Sequence, residues 1–199
     1  ENVPTQLGET ALEYLRYLSN TVEFLSYLSL STIGNLNGIY FPITSGNVEV
    51  AHCPSCKYTE RLELARFAKT PFSQAEQLPL EKVLTPDCNT IESLANFLNI
   101  PKEQTAKALM YTRISDGKFI FVVVRGDMQA SEAKLKQQVG EVRAATAEDI
   151  VGAGAAAGYA SAIGLKEALI VVDDLIPQSQ NLVAGANEAG YHLKNTNYG

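Results

Sequence analysis

Three groups of residues have types and spacings that chemistry can use. The first is Cys53-Pro54-Ser55-Cys56, half of a zinc-knuckle pattern. A structural zinc takes four ligands, usually as two close pairs. The other candidates, His52, Cys88 and His192, do not supply a second pair. The pair therefore reads as reduced cysteines in a turn, with no metal and no cofactor expected. A thioredoxin-type redox pair lacks its βαβ context. The second group is the two histidines, His52 and His192, neither of which sits in a nucleophile motif. G-x-S-x-G, P-loop and dinucleotide patterns are absent, and Gly152-Ala153-Gly154 runs on into alanines. The third group is polar residues at the ends of apolar runs. Arg125 and Asp127 flank Gly126, and Asp173 and Asp174 follow a second run. Lys107 stands among Ala106, Ala108 and Leu109. Ligands gather at strand ends in α/β folds, whereas a lysine on an apolar face is more often a snorkelling surface residue.

The elements that must position these groups follow from periodicity. Leu12, Leu15, Leu18, Val22, Leu25 and Leu28 recur at helical steps, so a helix is expected that packs on a core, a protein partner or a second copy. Residues 38–53 read as a β-hairpin turning at 44–47, Tyr58 to Lys69 as a helix, and 70–79 as a linker. Thr90 caps a helix carrying Ile91, Leu94 and Leu98. Pro101 starts a second helix expected to hold Gln104, Thr105, Lys107 and Leu109, and a strand from Met110 to Ile114 and a turn at Ser115-Asp116-Gly117 follow. Phe119-Ile120-Phe121-Val122-Val123-Val124 is an apolar run suited to a central strand buried on both faces, and Leu169 to Asp173 reads the same way. Between these strands, Ser131 opens a helix, Val142-Arg143 is a short strand and Thr146 to Asp149 starts another helix. Residues 152–162, nearly all glycine and alanine, form a loop or close backbone crossing. Leu182 to Ala184 and Tyr191 to Leu193 are sheet edges.

Bulk properties bound the answer. With 199 residues, 46% hydrophobic and 19% charged, the chain suits one large domain or a domain with an appendage. No apolar run reaches the ~18–20 residues of a membrane span, so no membrane partner is expected. The net charge of -6 argues against a general nucleic-acid coat but allows a site with a few placed cations. An odd count of three cysteines and no visible secretory signal point to the cytoplasm.

One set of motifs stands in a recognisable order: Thr85-Pro86, Gln104-Thr105-Ala106-Lys107, Val124-Arg125-Gly126-Asp127, Arg143-Ala144-Ala145-Thr146, Val171-Val172-Asp173, Gly185-Ala186-Asn187-Glu188 and Tyr191-His192. In these residues, the stretch 81–199 resembles the insertion (editing) domain of bacterial-type prolyl-tRNA synthetases and the related YbaK-like aminoacyl-tRNA deacylases. The resemblance reaches upstream, in eroded form, from Ile33-Gly34 to Tyr58. It implies an α/β domain with a mixed, curved β-sheet and surrounding helices at 81–199, preceded by a synthetase-like helix-and-hairpin appendage at 1–80. The class II motifs that bind ATP and proline are absent, so this chain alone is not expected to charge tRNA.

The resemblance also implies a function: hydrolysis of mischarged aminoacyl-tRNA, Ala-tRNA(Pro) above all, with the tRNA 3' end as partner. Lys107 matches the family's essential lysine, on a helix bordering the pocket. Gly158 begins the substrate loop, followed by Ser161 and by Ala162, where the family usually has proline. Asp173 and His192 match pocket positions, and Arg125 and Asn187 stand in matched motifs as substrate-binding candidates. The catalytic set is therefore Lys107, Gly158 and His192. The Lys107 ammonium is expected in a cleft shared with Gly158, Asp173 and His192. The rival reading is a non-catalytic tRNA- or protein-binding module derived from a synthetase.

Overall fold

The computed structural model describes residues 49–198, apart from 54, 57 and 72–74. The chain divides into two units between Arg66 and Phe67.

In the first unit, β1 (Val50–His52) pairs antiparallel with β2 (Thr59–Arg61), Val50 opposite Arg61. The Cys53 N–H donates to the Tyr58 carbonyl at 2.8 Å and closes the hairpin. The helix expected from Tyr58 to Lys69 is not formed. Thr59 to Arg61 take the ladder that Val50 to His52 offer, and one turn at 62–64 follows before irregular chain. Leu62, part of the helical pattern, stays exposed. The expected helix at 12–28 and the first strand and turn of the expected hairpin lie outside the described residues.

The second unit has the α/β fold read from the sequence. A four-stranded mixed sheet runs in the order β6 (Val142–Ala144), β4 (Ala106–Arg113), β5 (Phe119–Arg125), β7 (Leu169–Val172). Only the β5–β7 pair is parallel. A three-stranded antiparallel sheet runs β3 (Glu81–Leu84), β9 (Tyr191–Thr196), β8 (Leu182–Gly185). A parallel bridge between Thr105 and Val183 joins the two sheets where β4 begins.

β5 explains why the core sits where it does. Its six apolar residues alternate between two clusters. Phe119, Phe121 and Val123 meet Ile176, Leu182 and Ala184 on one face. Ile120, Val122 and Val124 meet Leu135, Val139 and Val142 on the other. Leu135 and Val139 stand one helical turn apart on α2 (Glu132–Val139), whose cap Ser131 accepts the Lys134 N–H. Helix α1 (Ile91–Leu98) begins with a capping box in which Thr90 and Ser93 exchange bonds. The short α3 (Ala147–Gly152) does the same with Thr146 and Asp149. Among the described residues no helix is long and apolar enough to cross a membrane.

Three expectations are corrected. Lys107 lies on strand β4, not on a helix. Lys102–Gln104 form only a single 3-10 turn, after which β4 takes seven register pairs with β5, and that ladder outweighs a weak helical propensity. β7 is not buried on both faces: it ends the sheet, and Ile170 and Val172 are 39% and 38% exposed. β9 is no edge, since it lies between β3 and β8.

Candidate functional site

Hydrogen bonding along β4 leaves one stretch of its outer edge open. The Thr105 carbonyl accepts from Gly126 and the Arg113 N–H donates to Lys118, so odd-numbered residues bond toward β5. Even-numbered residues face outward, as the Ala145 N–H to Met110 carbonyl bond at 3.1 Å shows. β6 and the residue after it take the far end, and the Val183 bridge takes the start. Between them, among the described residues, no strand pairs with the outward amides at Ala108.

A cavity of about 410 Å³ lies along this edge. Ala106, Lys107, Ala108 and Met110 line it from β4, and Gly158 and Ala160 from the loop after α3. Gly185 of β8, His192 of β9, and Asn89, Thr90, Ile91 and Leu94 at the start of α1 complete it. Two glycines are required by geometry. A Cβ on Gly185 would lie 2.2 Å from the Tyr159 carbonyl, because the loop backbone crosses β8 directly there. Gly158 has φ +80, and a Cβ on it would lie 3.0 Å from that of Asn89.

His192 is 4% exposed. Its Nδ1 lies 2.7 Å from the hydroxyl of fully buried Thr85, which is also 3.3 Å from the Gly190 carbonyl. When the hydroxyl gives its one proton to that carbonyl, Nδ1 must donate to Thr85, leaving Nε2 as a bare acceptor. Tyr159 packs against the imidazole with ring centroids 5.4 Å apart. Burial pushes the imidazole down to about 4, so it is neutral at pH 7.

Lys107, Gly158 and His192 are thus brought together around one cavity. The Lys107 ammonium itself does not go where the sequence places it. Its side chain shares a strand face with Leu109 and Tyr111, opposite Ala106 and Ala108. Nζ donates to Gln129 Oε1 at 3.2 Å. Partial burial lowers its pKa, while nearby Asp127 pulls the other way.

The five binding candidates do not line the cavity. Asp173 holds Lys69 and accepts the Leu175 N–H. Arg125 grips Asp127 with two nitrogens, and its third donates to the Thr70 carbonyl at 2.7 Å. Asn187 ties the loop down: its Oδ1 accepts the Ser161 N–H at 2.8 Å, and Nδ2 donates to the Ser161 and Ile163 carbonyls. Ser161 is buried, with its hydroxyl accepting the Ile163 N–H, and Ala162 packs on the core. Sequence reasoning missed Ala108, Met110 and Asn89 as cavity walls. The alternation of Ala106, Ala108 and Met110 was the available signal, hidden because the helical reading ran to Leu109 and the strand began only at Met110. Among the described residues no three His, Cys, Asp or Glu side chains group as metal ligands.

The site is thus a cavity on an open strand edge of a mixed α/β fold, beside a buried, neutral histidine. The chain belongs to the aminoacyl-tRNA editing domain family, which matches residues 85–198. Among relatives, it is 42% identical over 157 residues to a proline–tRNA ligase of Dehalococcoides mccartyi, covering 78% of this chain and 27% of that protein. A proline–tRNA ligase of Salinispora tropica is 42% identical over 156 residues, covering 74% of this chain and 26% of that protein. The chain thus spans about a quarter of the length of these ligases. Two crystal structures share the fold at 21% identity: the hypothetical protein APE2540 and a candidate trans-editing enzyme for prolyl tRNA synthetase. The first has a TM-score of 0.54 and covers 60% of this chain and 81% of its own. The second has a TM-score of 0.52 and covers 59% and 76%.

Proposed function

We propose that residues 81–199 hydrolyse the ester of a mischarged aminoacyl-tRNA, with Ala-tRNA(Pro) as substrate and the tRNA 3' end as the part bound. The observation that carries this reading is that Lys107, Gly158 and His192 all border one cavity, most of whose β4, loop and β8 walls are glycine and alanine. Such walls let an aminoacyl ester come close to the backbone, and rejection of proline, the logic of a second sieve, is what the test below reads.

The chemistry asked of the chain is modest, because an aminoacyl ester is already activated and positioning supplies much of the rate. A neutral imidazole held near 4 is a weak base at pH 7. His192 Nε2 serves as an acceptor that orients the attacking water or the terminal ribose hydroxyl. The Tyr159 and Ser161 N–H groups already bond to Ala156 and Asn187. The outward amide of Ala108 joins the loop amides of Gly158 and Ala160 as the oxyanion donors this reading favours. Lys107 acts as a point cation toward the terminal phosphate once it leaves Gln129.

The test is deacylation of Ala-, Cys- and Pro-tRNA(Pro) by the purified chain. Rapid loss of alanine with proline retained is expected. The engagement of Lys107 with Gln129 favours the competing reading, a binding module without catalysis, which hydrolysis of none of the three together with retained tRNA binding would support.

A further inference from the structure

Cys53 and Cys56 belong to the first unit and play no part in the cavity. We propose that they form a peroxide-driven, reversible dithiol–disulfide pair at the tip of the β1–β2 hairpin. The three cysteines differ in the features that decide thiol oxidation. Cys56 is exposed and Cys53 half-exposed, while Cys88 is 4% exposed and donates to the Ser93 carbonyl. The Ser55 hydroxyl lies 3.2 Å from Cys53 Sγ, and the Cys56 backbone N–H also bonds to that sulfur. These donors stabilise a thiolate, and they hold the Cys53 thiol down to about 6. Burial pushes Cys88 the other way. An accessible thiolate with a second thiol three residues on is the arrangement of a redox-sensing pair.

The steps balance with hydrogen peroxide as oxidant. Cys53 thiolate attacks one peroxide oxygen, the O–O bond breaks, hydroxide leaves, and Cys53 becomes a sulfenic acid. The Cys56 thiolate then attacks the Cys53 sulfur. An S–S bond forms, the S–O bond breaks, and hydroxide leaves. With the two thiol protons, two waters result for one peroxide consumed. An external dithiol reverses the reaction by exchange.

The experiment treats the full chain with a few equivalents of hydrogen peroxide, alkylates the remaining thiols and maps peptides by mass spectrometry. An intrachain Cys53–Cys56 disulfide is expected, with Cys88 reduced and the link opened by dithiothreitol. In Cys56→Ser, Cys53 stops at the sulfenic acid and dimedone traps it. At pH 6, about half of Cys53 is thiolate, against ~0.3% of an ordinary thiol. Lower intrinsic nucleophilicity takes back roughly a factor of ten. Cys53 should therefore alkylate about tenfold faster than an ordinary thiol. Any of four results overturns the proposal: both thiols still free after the peroxide treatment, a link between chains instead of within one, Cys53→Ser oxidising Cys56 at the wild-type rate, or a stoichiometric zinc held by the pair.

Discussion

At the scale of the residue, His192 is where burial and chemistry meet. An unfolded chain's imidazole takes a proton near pH 6.5, whereas in the folded protein it stays neutral down to about 4. Between these values the unfolded state binds the extra proton, so the His192 contribution to stability falls as pH drops through that window and is constant above it. Each unit of separation is worth ~1.4 kcal/mol. Asp116, held at about 2 by Arg113, titrates below the window. Thermal melts from pH 7 to pH 4.5 should show the loss, and His192→Gln should flatten it. Lys107 sets a second prediction. If its ammonium leaves Gln129 for the substrate, Lys107→Ala removes about 2–4 kcal/mol of transition-state stabilisation, by analogy with an oxyanion donor. Single-turnover deacylation should then slow roughly 10²-fold or more with the melting temperature unchanged. An unaltered rate would leave Lys107 as a strand residue bound to Gln129. That Lys107 borders the cavity was legible in its motif, but the direction of its side chain was not. On a strand, one step along the chain reverses the face, and the motif does not reveal whether its backbone is helix or strand.

At the scale of the element, legibility tracked how local the determining forces are. Thr90, Ser131 and Thr146 cap their helices through bonds three residues away, and all three could be read directly. β5 could be read because six apolar residues in a row leave few options but a strand with two covered faces. β4 could be read only from Met110 onward; its first half could not, since what makes it a strand is a ladder to residues beyond the next turn. β7 has the composition of β5, but its place at the end of the sheet comes from topology. The contrast can be measured. Phe121 is 1% exposed at the centre of one cluster, and Phe121→Ala should cost about 3–5 kcal/mol in urea unfolding. Val172→Ala on the exposed face of β7 should cost well under half of that. Equal costs would mean that β7 is as enclosed as its composition suggests.

At the scale of the whole molecule, the question is where the folding unit begins. The sequence places the boundary at residue 81, where regular structure and the family motifs start, and reads the preceding stretch as linker. The observed division falls at Phe67, and the contacts of the intervening chain explain it. Lys69 pairs with both Asp173 and Asp174 after β7. The Thr70 carbonyl takes the third nitrogen of Arg125. Asn181, only 7% exposed, accepts the Leu78 N–H at 2.9 Å and donates to the Glu76 carbonyl at 2.8 Å. Asn195 donates to the Pro79 carbonyl at 2.8 Å. No apolar periodicity announces such a strap, because it is held by side chains reaching back from 55 to 116 residues downstream. Removing it would cost the Asn181 amide both of these hydrogen bonds, each a net contribution of about 0.5–1.5 kcal/mol. The ion pairs add less, because Asp174 is 73% exposed and screened by solvent. Ordering the strap carries an entropy cost that partly offsets these gains. A fragment of residues 67–199 should therefore unfold in one transition at the midpoint of the same unit in the full chain. A fragment of residues 81–199 should be less stable by about 2–4 kcal/mol, a difference readable as a lower urea midpoint at an unchanged slope. Asn181→Ala in the longer fragment should reproduce much of that loss. If the two fragments unfold at the same midpoint, the strap is a passive linker and the boundary belongs at residue 81.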